Sequence, residues 1–202
     1  MLFMRKIISE TYALSLASCL EFKYPEQITL LAGATDISSE SNGLLAKASK
    51  FIFHPDFDFE TNAFDIVVIE VRTPFIGKNI NPVKLSTQGM PMYEGLHAEI
   101  AGWGNNQDPS SENILHKVSL PIVDLEKCSE AWNRQIPETA ICAGQVGYDT
   151  CSSDNGGALV YCGLQIGINI KNSESCDGAK PAVFTNISHP GIRSFIRQQT
   201  GV

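Results

Sequence analysis

Hydrophobic residues along the chain fall in short runs set between turn-forming residues. QITLLAG, KASKFIF, FDIVVIEV, HAEIAGWG, HKVSLPIV, ALVYCGLQIGINI and PAVFTNI are rich in branched and aromatic residues. Their recurrence with turn signals between them is the rhythm of an all-β sandwich or barrel. In FDIVVIEV, branched apolar residues stand together after Asp65, as in a strand covered on both faces. The segment 86–95, STQGMPMYEG, holds two glycines and a proline between such runs. It is the best linker candidate and divides the chain into two β units.

Two segments follow a helical period instead. In DLEKCSEAW, Asp124 can cap the N-terminus, and Leu125, Cys128 and Trp132 share a face at i, i+3 and i+7. In the tail HPGIRSFIRQQT, Ile192, Phe195 and Ile196 share a face after Pro190, so a C-terminal helix is expected to dock on a barrel.

The chain has 202 residues, of which 43% are hydrophobic, enough for a substantial core. A net charge of −7 argues against nucleic acid and anionic membrane surfaces as partners. No segment approaches the ~20 apolar residues needed to span a bilayer. Six cysteines with no CxxC pair and no Cys/His cluster of ligand spacing favour disulfides and an oxidising compartment over a metal site. Nothing in the pattern calls for a cofactor. The N-terminal MLFMRKIISETYALSLASCL partly resembles a signal peptide, but Glu10 interrupts the apolar core. ALSLASCL reads equally as a buried strand followed by a turn.

Three landmarks stand in a fixed order: SLASCL, FDIVVIEV and DTCSSDNGGALV, with AGWG between the last two. This order and spacing resemble the trypsin-like (chymotrypsin-fold) serine proteases, from about Lys6 to the C-terminal helix. The resemblance implies one peptidase domain of two Greek-key six-stranded β-barrels, residues 1–88 and 97–188, followed by a C-terminal helix in 189–202. The chain starts well after the family's mature N-terminus. The first barrel is therefore expected to be N-terminally truncated, with an open edge.

In that family the landmarks read TAAHC, NDIAL and GDSGGP and carry the histidine base, the orienting aspartate and the serine nucleophile. Here the matched positions are Ser18, Asp65 and Asn155. A serine hydroxyl is no base near neutral pH and a carboxamide is a poor nucleophile, so acyl transfer by this route is not expected. Ser153 replaces the oxyanion-hole glycine, where a side chain disfavours the backbone geometry that aims the donor. Ala158 replaces the following proline. The family's SWG ledge is matched by INIKNSE with an apparent one-residue insertion, and the glycine of KPGVY at the pocket mouth is matched by Ala182. His54, His97, His116 and His189 all lie away from the matched positions and are read as surface or turn residues.

By the same resemblance, Asp149 is the acid at the base of a pocket for Arg or Lys. Asp154 is the acceptor of a cleaved N-terminal ammonium, a partner it is expected to lack. Lys171 is a candidate cation for Asp149 or Asp65, set against the ordinary alternative of a solvated loop lysine. The family's bridges imply Cys128 with Cys142 and Cys151 with Cys176. The usual partner of Cys19 would stand at Phe3, which leaves Cys19 and Cys162 as thiols. Ala34 stands where calcium-binding relatives begin their acidic set, so no calcium site is expected.

These matches imply a catalytically inactive, secreted protease homologue that acts by binding. Within the family the chain resembles the inactivated serine protease paralogues of the scabies mite, relatives of mite group 3 allergens. That resemblance implies host proteins, complement components among them, as partners. The loops ISSESNG and NNQDPSSEN are candidate contact surfaces. The alternatives are an endopeptidase with weak or altered trypsin-like activity, and a truncated product without function.

Overall fold

The computed structural model describes residues 6–38, 43–103, 113–145, 154–173 and 178–202. Asp149, Cys151, Ser153 and Cys176, together with Phe3 and most of the two candidate contact loops, lie outside the described residues. The first sheet comprises β1 (Lys6–Ile7), β2 (Tyr12–Ser15), β3 (Thr29–Ala32), β4 (Leu44–Phe53) and β5 (Val67–Val71) in the order β1-β2-β5-β4-β3. Every neighbouring pair is antiparallel, and among the described residues β1 and β3 are the edges. This is an open half-barrel.

The second sheet comprises β6 (Lys84–Leu85), β7 (His97–Gly102), β8 (His116–Val123), β9 (Ala140–Ala143), β10 (Ala158–Tyr161), β11 (Leu164–Lys171) and β12 (Ala182–Asn186). Its order is β10-β7-β8-β9-β12-β11-β6, and a further β10–β11 pairing closes six of these strands into a barrel. β6 lies parallel beside β11. β7 alternates buried Ala98 and Ile100 with exposed His97 and Glu99, the pattern of a strand with one face in the core. β5, with Val67, Val68, Ile69 and Val71 buried, is covered on both faces as expected.

The run ALVYCGLQIGINI is two strands, not one. Cys162 and Gly163 both adopt positive φ, 49° and 77°, and Tyr161 pairs with Leu164 across them. Two consecutive left-handed residues make the tight turn whose twist suits a two-residue hairpin. ALSLASCL is a buried strand followed by a turn, as one reading of the sequence had it: the chain leaves β2 at Ser15 and forms a one-turn helix, α1 (Ala17–Leu20). Leu16, Ala17 and Leu20 are all buried, so one helical turn satisfies the apolar positions that alternation along a strand would have split.

Helix α2 (Leu125–Trp132) is capped as the sequence indicates, with Asp124 accepting hydrogen bonds from the N–H groups of Glu126 and Lys127 at 2.8 and 3.4 Å. Cys128 lies under it and forms a disulfide with Cys142 of β9. Helix α3 (Pro190–Thr200) buries Ile192, Phe195 and Ile196. Rather than docking on one barrel, these residues join Leu14 and Val68 of the first sheet and the adjoining Leu16 and Ile66 with Ile168 of the second sheet and Ile187 just beyond it. Each such burial contributes roughly 1.5–3 kcal/mol, so the C-terminal helix cements the two sheets together.

Candidate functional site

Asp65 sits just before β5 and is completely buried. Its placement is set by a turn in which Phe64 takes φ 52°, an unfavourable conformation for a bulky residue unless its surroundings enforce it. Here the Phe64 ring stacks on His54 at 4.4 Å, and its N–H donates to Thr139 Oγ1 at 3.2 Å. From the second sheet, Thr185 Oγ1 donates to the Asp65 carbonyl at 2.7 Å. Residues of both sheets therefore hold the backbone of this carboxylate.

Ser18, on the turn of helix α1, supplies the donors. Its N–H donates to Asp65 Oδ1 at 2.9 Å and its hydroxyl to Oδ2 at 2.6 Å. Burial pushes the Asp65 carboxyl above the usual carboxylate range, and the Ser18 hydrogen bonds counteract this. Glu21 pushes in the same direction as burial. A buried carboxylate with a short hydroxyl bond on one oxygen and an amide bond on the other is held by neutral donors alone.

Asn155 belongs to a second network. Its Oδ1 accepts from Asn172 Nδ2 at 2.9 Å, and Asn172 Oδ1 accepts from Asn169 Nδ2 at 2.8 Å. The backbone repeats the tie, with Gly156 N–H donating to the Asn169 carbonyl and Asn169 N–H to the Gly157 carbonyl, both at 2.8 Å. Gly156, at φ 84°, makes the turn that permits this. The loop after Asp154 is thus fastened to β11 through three carboxamides. Asn169 and Asn172 did not stand out in the sequence; the available signal was two asparagines inside and just beyond an apolar strand, where polar side chains need partners. No hydrogen bond joins Ser18 or Asp65 to Asn155.

The Asp65 oxygens are engaged by Ser18, and the Lys171 ammonium lies over the Trp132 ring, 4.3 Å from the centroid, with Lys180 4.8 Å from the same ring; Asp149, the other candidate partner of Lys171, lies outside the described residues. Trp132 Nε1–H donates to the Pro181 carbonyl at 2.8 Å, which fixes the indole beneath these cations. Ala182 is fully buried and packs with Ala98, Ile100, Leu120 and Phe184 in the core of the second barrel. Asp154 is buried and is not left without a partner. Cys19 is a half-buried thiol packed against the cores on both sides of the first sheet, while Cys162 is an exposed thiol at the hairpin tip.

The histidines lie elsewhere. His54 is buried, its Nδ1 accepts from the Asp56 N–H at 3.1 Å, and it packs against Phe195 at 4.8 Å. Burial pushes its imidazole below the usual histidine range, as it does that of His189, which caps α3. No cluster of three or more His, Cys, Asp or Glu able to hold a metal ion occurs among the described residues. No helix among them is long and apolar enough to cross a membrane.

Comparison with known proteins accords with this architecture. The family model described as Trypsin matches residues 6–194. A trypsin from Phaedon cochleariae is 28% identical over 97% of this chain and 78% of its own length, and duodenase-1 from Bos taurus is 31% identical over 95% and 78%. The crystal structure of the scabies mite inactivated protease paralogue S-I1 superposes with a TM-score of 0.85 at 24% identity, covering 98% of this chain and 86% of that one. A family model spanning nearly the whole chain, relatives of this extent and a closed barrel beside an open half-barrel lead to one conclusion: the chain belongs to the trypsin family.

Proposed function

We propose that this protein is a catalytically inactive member of the trypsin family that acts by binding other proteins. The observation that carries the reading is the 2.6 Å bond from Ser18 Oγ to Asp65 Oδ2. In a working triad the buried aspartate orients an imidazole, which takes the nucleophile's proton and returns it to the leaving group. Here a hydroxyl occupies the aspartate, and the aligned nucleophile position holds Asn155, whose carbonyl oxygen is bonded to Asn172. No hydrogen bond joins His54 or His189 to Asp65 or Asn155. Loss of base or nucleophile costs about 10⁶-fold in turnover, and loss of both about the same, because the residues act as a unit.

The likeness to the scabies mite inactivated protease paralogue S-I1 supports the same reading. In this proposal the protein is secreted and its partners are host proteins, with complement components as the first candidates. Two assays test it. A fluorophosphonate probe that labels active serine hydrolases should leave the purified chain unmodified while labelling trypsin beside it. Immobilised protein should retain complement components from human serum. Labelling of the chain would overturn the inactivity, and serum eluates without complement proteins would overturn the choice of partner.

A further inference from the structure

Three phenylalanines form a chain of ring contacts that leads from the core to the surface. Phe57 is half-buried against the core of the half-barrel. Its ring meets Phe59 edge-on at 6.4 Å, and Phe59 meets Phe22 edge-on at 6.3 Å. Phe59 is 55% exposed and Phe22 78%. Scattered apolar side chains are ordinary on a protein surface, but large rings in contiguous contact mark a surface that recognises something. The rings come from two segments, 20–28 and 54–64, both inside described stretches of the chain. The backbone beneath them is fixed. Asp58 accepts from the Glu60 N–H and from the Thr61 hydroxyl, both at 2.8 Å, and its own N–H donates to the Ala63 carbonyl at 3.0 Å. On the other segment, Lys23 N–H donates to the Leu20 carbonyl and Tyr24 N–H to Gln27 Oε1, both at 2.9 Å. A platform held in this way loses little conformational freedom when it is covered.

The charge on these segments is mostly of one sign. Glu21, Glu26, Asp56, Asp58 and Glu60 are all exposed, set against the single lysine Lys23. Glu21 adjoins Phe22 in the chain, and Asp58 and Glu60 flank Phe59. None of these carboxylates forms an ion pair among the described residues. Hydrogen bonds from the Thr61 hydroxyl and the Glu60 N–H hold the Asp58 carboxyl below the usual carboxylate range, so it is fully charged at neutral pH. Arg134 reaches the same loop but donates to the carbonyls of Glu60 and Thr61, at 3.5 and 3.4 Å. Aromatic faces attract cations, and a guanidinium can stack on a ring while it pairs with a carboxylate. Exposed rings with an acidic border are therefore complementary to arginine.

We infer that the platform of Phe57, Phe59 and Phe22 binds an arginine-bearing segment of a partner protein, with guanidinium groups lying over the exposed Phe22 and Phe59 rings and pairing with Glu21, Asp58 and Glu60. The inference rests on the proposed role in binding other proteins and names its surface. It requires neither complement as the partner nor the loss of catalysis. Serum capture that persists while the platform binds no arginine peptide would overturn this surface and leave the binding role standing.

The test uses the whole chain and the peptide fluorescein-SRVRVRS-NH2, read by anisotropy. Saturable one-to-one binding is expected, weakening several-fold as salt rises from about 0.05 to about 0.5 M. The glutamate analogue fluorescein-SEVEVES-NH2 should not bind. The lysine analogue should bind about threefold more weakly, because an ammonium lacks the planar face that stacks and pairs at once. Phe22→Ala and Phe59→Ala should each weaken binding about fivefold, as should Glu21→Gln combined with Glu60→Gln. All four side chains are exposed, so the fold is kept. No saturable binding, binding of the glutamate peptide, or full affinity in both phenylalanine variants would overturn the inference. So would loss of binding in Asp149→Asn, which would assign the peptide to the pocket that the family resemblance gives to Arg and Lys. Sedimentation of the free chain as a dimer that Phe59→Ala dissociates would also overturn it, because a second copy would then cover the rings.

Discussion

Ser18→Ala isolates the bond at the centre of the site. It removes the 2.6 Å hydroxyl donor from a carboxylate that is 0% exposed and leaves the backbone donation of Ser18 at 2.9 Å. A hydrogen bond to a charged group contributes about 1.5–3 kcal/mol, so a loss of about 2 kcal/mol is expected at pH 7. For a domain of this size that corresponds to about 4–8 °C in Tm. The pH dependence distinguishes this bond from simple packing. The folded pKa of Asp65 lies above 3.8, so its contribution to stability is fully present below 3.8 and is lost as pH rises through the folded value. Removing the hydroxyl raises that value further, so the penalty of Ser18→Ala should shrink towards about 1 kcal/mol, the value of a neutral bond, as pH falls from 7 to below the folded value. Urea unfolding followed by circular dichroism measures both. A loss under about 0.5 kcal/mol at pH 7, or the same loss at both pH values, would refute the charge-assisted bond.

Asn172→Ala removes an acceptor from Asn169 Nδ2 and a donor from Asn155 Oδ1; a loss of about 1–3 kcal/mol in urea is expected, with faster proteolysis of the loop after Asp154. Replacing Cys128 and Cys142 by alanine opens a bridge of sequence separation 14 and should cost about 3 kcal/mol by calorimetry; an unchanged Tm would contradict this. The folded pKa of His54 is depressed below 6.5 by burial. Its contribution to stability is therefore present above 6.5 and lost as pH falls through the folded value. Its ring protons should titrate below 6.5 by NMR, and a midpoint at or above 6.5 would contradict the burial.

Much of the fold was legible because strand runs and helix caps are local. Alternation in HAEIAG, the branched run VVIEV and the Asp124 cap each record the environment of their own segment. The division of ALVYCGLQIGINI was harder to read, since Cys162 is an unusual residue at a left-handed turn position and the apolar run continues through it. The helical turn at SLASCL depends on burial against two sheets, which four residues cannot announce. At the site, Ser18, Asp65 and Asn155 stood out through motif order. The carboxamide chain through Asn169 and Asn172, and the seating of Lys171 over Trp132, depend on strands brought together from distant positions. Residue type alone could not reveal them.

The central claim, a trypsin fold without trypsin chemistry, is tested most directly by turnover of Arg and Lys peptide substrates, comparing the purified chain with its Asn155→Ala variant. The account predicts that neither hydrolyses substrate above the enzyme-free blank. Hydrolysis by the unmodified chain that disappears in Asn155→Ala would contradict it.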